Sequence, residues 1–287
     1  MRILCLFVRH GVEAHPGALE MLDGWYERHG LLAQRTLWVI DNALPPDASP
    51  VELAPGRWLR AGDNRAWEFS AWERALREAR AEAPGHEVIH CVTSAFHTLY
   101  TGYLGHFQPD MLDYVLDRKV CLGHIDSHPT GFELEGRHFD SWIRTCFFFL
   151  ARPVADAVHP WVQQRDPARY FRSRDSTAFR EEAPLSPGYR HHLTAWLHGA
   201  EIGGHRWHSP VGGGAAEVAR FQHKVGAILN EHEFSLTLGR LGLSAVDFCW
   251  LYRQPRPAGG SGLPPPVTVP EQLAVRRRHL GIADPIG

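Results

Sequence analysis

The chain reads as an α/β protein with a mostly parallel sheet flanked by helices, and three observations predict this. Residues 2–8, RILCLFV, and 36–40, TLWVI, are unbroken apolar runs, and 87–92, EVIHCV, is nearly so. Such runs mark strands buried on both faces, since a half-exposed strand alternates polar with apolar residues. Stretches with apolar residues at helical spacing separate them, in repeats of roughly thirty residues, the length of a βαβ unit with its right-handed crossover.

Taken in order, residues 16–29 carry Leu19, Leu22 and Tyr26 at helical spacing and close on Gly30, a residue suited to a helix C-cap. The second strand ends on Asp41 and Asn42. Trp58 and Leu59 suggest a short third strand before Gly62, Asp63 and Asn64, and 67–83 is a helix with Phe69, Trp72, Leu76 and Ala79 on one side. The strand over 87–92 runs into Thr93 and Ser94. In open α/β sheets ligands bind beyond the carboxyl ends of the strands. Asp41 with Asn42, Gly62 to Asn64, and Thr93 with Ser94 all fall there. Turn chemistry alone accounts for each group, but their shared edge makes them ligand candidates.

Beyond residue 99 the chain is rich in aromatics, and FDSWIRTCFFFLARPVADAVHPW predicts a buried strand followed by a helix. Residues 165–190 are polar and Arg-rich and read as a mobile loop or an irregular helix. One helix is expected over 215–229 and another from Asn230, where Asn230 and Glu233 fit a capping box and Phe234, Leu238 and Leu241 form a core stripe. Glu231 has no place in that scheme, and a carboxylate near the strand ends would suit a general base. After Tyr252 comes PRPAGGSGLPPPVTVP, a stiff linker, and then a basic tail helix. The expected organisation is one domain over 1–252 and an irregular C-terminal extension over 253–287.

Composition narrows the function. At 287 residues and 44% hydrophobic content the chain can fill a large core. A net charge of -2 excludes a general nucleic-acid binder, which needs clustered Lys and Arg against phosphates. Five cysteines without CxxC spacing read as reduced core residues of a cytoplasmic protein. The N-terminal apolar run is too short to span a bilayer and reads as the first core strand. Arg276, Arg277, Arg278 and His279 are candidates for contact with anionic lipid, or equally a solvated helix face. Nineteen His and ten Trp would suit a sugar-handling surface. His124, Asp126 and His128 have HxDxH spacing, which on a strand points all three to one side, as ligands of Zn or Mn.

Three segments in order resemble bacterial polysaccharide glycosyltransferases with a GT-A-like nucleotide-sugar domain, particularly the rhamnan-synthesis and O-antigen type. WVIDNAL followed by LRAGDNRAWEFSAWERAL is similar to that family's strand ending in an acidic residue and its loop opening a helix. EVIHCVTSAF stands where these enzymes carry a strand and an Asp-x-Asp-type metal motif. NEHEFSLTLGRLGL is similar to the acidic helix that supplies the base in inverting members. The resemblance covers roughly residues 1–245 and implies a GT-A-like, Rossmann-like sheet. It also implies an enzyme of surface polysaccharide or lipopolysaccharide synthesis, with a nucleotide-sugar donor and a glycan or lipid-linked glycan acceptor.

Carried over by position, the resemblance puts Asp41, with Asn42 beside it, at the base or ribose, Asn64 near the donor, and Thr93 and Ser94 at the diphosphate or metal. Glu231 would be the base, and Asp126 and Asp140 secondary catalytic candidates on the acceptor side. Because Thr93 replaces the expected metal-binding Asp, two arrangements are open. One is a Mg or Mn clamp, the other a metal-free site in which Arg165, Arg169, Arg172 and Arg174 pair with phosphate oxygens. The alternatives are a metal-dependent hydrolase centred on His124, Asp126 and His128, and a non-catalytic carbohydrate-binding relative.

Overall fold

Strands β1 (Ile3–Arg9) and β2 (Arg35–Asp41) flank helix α1 (Ala18–Arg28), and a hairpin of β3 (Val51–Ala54) and β4 (Arg57–Ala61) leads into α2 (Trp67–Glu82) and β5 (Val88–Thr93). Helices α3 (Phe96–Leu99) and α4 (Met111–Arg118) precede β6 (Cys121–Gly123) and the hairpin of β7 (Ile125–Leu134) and β8 (Arg137–Ile143). Next come β9 (Phe147–Ala151), α5 (Arg152–Ala157), α6 (Pro187–Leu197), the small strands β10 (Glu201–Ile202) and β11 (His205–Arg206), and the 26-residue α7 (Ala215–Arg240). β12 (Ala245–Asp247), α8 (Phe248–Tyr252) and α9 (Val269–Leu280) follow. This computed structural model describes residues 1–99, 101–163, 166–202, 205–212, 214–255 and 262–280.

Among the described residues, eight strands form one sheet in the order β12-β6-β9-β5-β1-β2-β4-β3. β1 pairs in parallel with β2 and β5, β2 with β4, and β12 with β6, whereas β9 runs antiparallel between β5 and β6. This is the mostly parallel sheet flanked by helices expected from the sequence. The apolar runs lie where two-sided burial demands them: β5 is buried up to Val92, and all five residues of β9, FFFLA, are buried. Trp72 of α2 lies against the sheet and donates its indole N–H to the Leu6 carbonyl at 3.1 Å. Because β9 runs against its neighbours, its first residues lie at the edge where the parallel strands end. Thr93 donates its amide to Cys146 O there at 3.0 Å.

A second core lies beside the sheet. Phe132, Leu134, Phe139 and Trp142 of the β7–β8 hairpin pack against Tyr189, Leu193 and Leu197 of α6 and against Phe221, Val225 and Leu229 of α7. Farther along the same helix, Phe234 and Leu238 enter the main core. α7 therefore bridges both cores.

The structure differs from the sequence expectation in three places. α7 continues unbroken through Asn230, which caps nothing. Its fully buried side chain donates to Gly226 O at 2.9 Å and accepts from the Gln163 amide at 2.8 Å, while Glu233 pairs with Arg137. FDSWIRTCFFFL makes two strands, β8 and β9, joined by a turn at Arg144, Thr145 and Cys146. The C-terminal segment is docked. Pro264 O accepts from Tyr114, and in α9 Gln272 and Arg276 are fully buried against β12. Arg276 is thus an internal cation and takes no part in a lipid-facing patch, whereas Arg277 and Arg278 are exposed. The side chain of His279 and residues 256–261 and 281–287 lie outside the described residues. No helix among the described residues is long and apolar enough to cross a membrane.

Candidate functional site

At the carboxyl edge of β2, Asp41 accepts from the amides of Gly11 at 2.8 Å and Ala43 at 3.0 Å, and from Arg9 Nε at 2.7 Å. Burial opposes its ionisation, but these donors outweigh it and hold the carboxyl below its ordinary range. Both oxygens are engaged by the protein itself. Asp41 therefore ties the end of β1 to the end of β2 and shapes the edge, instead of offering a free carboxylate to a nucleotide.

Asn42 and Asn64 do come together, Asn42 Nδ2 donating to Asn64 Oδ1 at 3.2 Å and to Trp67 O at 3.3 Å. Asn42 Oδ1 is buried without a hydrogen-bond partner. Asp63 closes the turn by accepting from the Arg65 amide, and Ser70 of α2 donates to its carbonyl. Trp67 has φ +52°, a region that bulky side chains rarely occupy and that clusters at functional sites. Gly62 is needed because a Cβ there would overlap the Asn42 amide. Gly62→Ala is expected to displace Asn42 and cost about 1–3 kcal/mol, the usual cost of overpacking. Urea denaturation checks this.

Glu231 lies midway along α7, half-buried, and accepts from the Thr145 amide at 2.8 Å and from Thr145 Oγ1 at 2.9 Å. Burial pushes its carboxyl up to about 7, the nearby Asp126 adds to this, and the Thr145 donors and Lys224 pull against it. Thr145 precedes Cys146, whose carbonyl holds Thr93, so Glu231 stands beside the end of β5. Thr93 and Ser94 are half-buried there, with the Ser94 amide bonded to Val8 O at 2.9 Å. The edge thus gathers Glu231, Thr93 and Ser94, while Asn42 and Asn64 lie across it.

Lys224, which the sequence reading missed, belongs to the same site. It precedes Glu231 by seven residues, two turns of helix, and so shares its face. Its ammonium lies 4.8 Å from the ring of Trp67 and 4.8 Å from that of Trp207. Glu68 also faces Lys224; burial raises its carboxyl and the ammonium partly offsets this. His15, in the loop after β1, and His97, on the short helix α3 after β5, interact with each other, and His208 interacts with Lys224 and His15. The seven-residue spacing was the available signal, hidden by the expected helix break at Asn230.

Other candidates stand elsewhere or are already engaged. Asp126 is held in a two-pronged pair by Arg144, Nε to Oδ2 at 2.9 Å and Nη2 to Oδ1 at 2.7 Å, so it serves neither as a free base nor as an open metal ligand. His124 is buried, stacks on Tyr103 at 4.8 Å, and is held well below its ordinary pKa by burial, Arg144 and Arg276. His128 packs instead on Phe132 at 4.2 Å and His192 at 5.2 Å. A register shift in the hairpin between Ser127 and Phe132 breaks the even alternation that the HxDxH reading assumed. Asp140 is exposed on β8 and accepts from Ser141, so it does not join Glu231.

The Arg-rich segment also misses the site. Gln222 donates to the carbonyls of Ser173, Arg174 and Ser176, and it lies about 200° round α7 from Lys224. Arg172 and Arg174 are exposed on that far side, Arg169 pairs with Glu135 at 2.6 Å, and Arg165 lies outside the described residues. Several histidines are core residues. His90 bonds Tyr26 at 2.7 Å and stacks on Phe149 at 4.1 Å, and His232 bonds Tyr189.

The Asp of the expected metal motif is replaced by Thr93, so the end of β5 offers a Mg or Mn clamp no carboxylate. Such ions take carboxylate oxygens, but hydroxyls stand at the end of β5. Asp41, Asp126 and Asp247 are held by Arg9, Arg144 and Arg276, and Glu231 by Thr145. Among the described residues no group of three His, Cys, Asp or Glu is placed to hold a metal ion.

No family model and no curated protein matches the chain. Among solved structures it is similar to a 4-diphosphocytidyl-2C-methyl-D-erythritol synthase, at 12% identity over 56% of this chain and 78% of that one, with a TM-score of 0.37. It is also similar to a protein described as a nucleotide-diphospho-sugar transferase from Desulfovibrio desulfuricans G20, at 13% identity over 57% of this chain and 72% of that one, with a TM-score of 0.28. These similarities concern the path of the chain alone.

Proposed function

We propose that the chain is a glycosyltransferase that moves a sugar from a nucleotide-sugar donor to a glycan acceptor, with Glu231 as the general base. The observation that carries this is a half-buried carboxyl, pushed up to about 7, at the edge of a mostly parallel sheet where the strands end, the place where such sheets bind ligands. In the ionised form Glu231 takes the proton from an acceptor hydroxyl as its oxygen attacks the anomeric carbon. The bond from that carbon to the diphosphate oxygen breaks, and its electron pair leaves with the nucleoside diphosphate. A base near the working pH is both available and strong enough for this step. Asn42, Asn64, Thr93 and Ser94 line the donor side.

An acceptor of the bacterial surface-polysaccharide or lipid-linked type follows from the sequence resemblance, and the exposed Arg277 and Arg278 are what remains of the lipid-facing proposal. The transferase reading is preferred to a metal-dependent hydrolase because Arg144 engages Asp126 and His128 packs on Phe132 and His192. A thermal-shift panel of nucleoside diphosphates and their sugars, followed by a transfer assay with the best donor, tests the proposal. The expected result is stabilisation by one nucleotide series and a product of inverted anomeric configuration, read by proton NMR. No stabilisation across the panel, or a retained product, would refute a single-displacement transferase.

A further inference from the structure

We infer that Lys224, together with His15 and His97, binds the diphosphate of the ligand directly, in the position where a divalent-metal clamp was expected. This rests on the transferase reading, and three observations support it.

First, Thr93 and Ser94 put hydroxyls where a metal-binding carboxylate was expected, whereas Lys224 brings an ammonium to this edge from the face of α7 that carries Glu231. The faces of Trp67 and Trp207, each 4.8 Å away, hold that charge in place. A lysine serves phosphate as a compact point charge with three donors.

Second, the Nδ1 atoms of His15 and His97 are buried without a hydrogen-bond partner. An unsatisfied buried polar atom is costly and calls for an explanation. Two lie together here, on the loop after β1 and on α3 after the adjacent parallel β5. The two segments approach closely: a Cβ on Gly17 would stand 3.6 Å from His97 Nε2. A phosphate oxygen is an acceptor that an Nδ1–H at this position would satisfy.

Third, the charges facing Lys224 leave room for an anion. They are Glu68 from α2, Glu231 from its own helix, and His208, with His15 and Arg220 beyond it. Burial raises both carboxyls, and burial together with His97 holds His15 below its ordinary range. The fixed positive charge at the edge is that of Lys224, and the imidazoles supply N–H donors beside it.

Titration calorimetry of the full chain with inorganic pyrophosphate, in EDTA and again with Mg or Mn, tests this. Binding is expected in EDTA, changing less than about threefold with metal. Lys224→Met is expected to weaken it by about 10- to 100-fold, the loss of one charge-assisted hydrogen bond. His97→Phe should weaken it by about three- to tenfold, and Lys224→Arg should recover part of the loss. Strict metal dependence, or wild-type affinity in a Lys224→Met, His97→Phe double variant, would overturn the inference. The metal arm needs no variant, so a substitution that fails to fold leaves the test intact. If nucleotide sugars bind only with metal, this inference fails and the transferase reading stands; if pyrophosphate binds and no nucleotide sugar does, the reverse holds.

Discussion

Glu231→Gln is expected to lower the rate of transfer by about 10²- to 10⁴-fold, the usual contribution of a positioned general base, while donor affinity changes less than about threefold. Gln keeps the shape of the carboxyl and accepts from Thr145, but it cannot take a proton. In the wild type kcat should rise with pH through about 7, as the carboxyl ionises, and the variant should lose this limb. Stability should move the other way. From the ordinary glutamate range up to about 7, the unfolded chain ionises Glu231 freely while the folded chain keeps it protonated. The wild type therefore loses stability over that window, and the Gln variant becomes relatively more stable as pH rises. Chemical denaturation at several pH values measures this. A variant that keeps full transfer activity would remove Glu231 from the mechanism.

Arg276→Met is expected to be among the most destabilising single changes, at about 3–5 kcal/mol, because it strips the cation from a buried pair. Arg276 and Asp247 are both fully buried and meet at 2.6 Å. Arg276 also donates to Ile125 O at 2.8 Å, while Asp247 accepts from the amides of Ile125, Cys249 and Trp250. Burial raises the Asp247 carboxyl, and Arg276 with these amides pulls it back. In a domain stable by about 5–15 kcal/mol the loss would be large. The Arg276→Met, Asp247→Asn double variant should recover part of it, since no unpaired charge is then left at this position. Urea midpoints of the two variants and the wild type decide the matter; a single variant within about 1 kcal/mol of wild type would show the pair to be dispensable.

Legibility followed burial. β1, β2 and β5 were readable because a strand covered on both faces must be apolar throughout, and the ends of β2 and β5, with that of the short β4, located Asn42, Thr93, Ser94 and Asn64 at one edge. The β7–β8 hairpin was not readable. It faces the second core on one side only, and the register shift after Ser127 interrupts its alternation. Asn230 misled for a different reason. Asn followed three residues later by Glu is a good cap pattern, yet inside a packed helix the same amide can be satisfied by Gly226 and Gln163. That misreading divided α7 and hid Lys224. The partners of Asp41, Asp126 and Arg276 come from distant parts of the chain, and no local pattern announces them.

α7 has a further consequence under the proposed reaction: it acts as a ruler. Seven residues along a helix correspond to about 10.5 Å, so the backbone positions that carry the proton acceptor and the ammonium are fixed along a rod anchored in both cores. A base-to-hydroxyl bond of about 2.8 Å, an attack gap of about 3.2 Å and a contact of about 2.8 Å to the departing oxygen occupy most of that length when laid end to end. Such a gauge measures the line of displacement and is indifferent to which sugar lies across it. Sugar choice then falls to the walls of the cleft, which can diverge without disturbing the measured span.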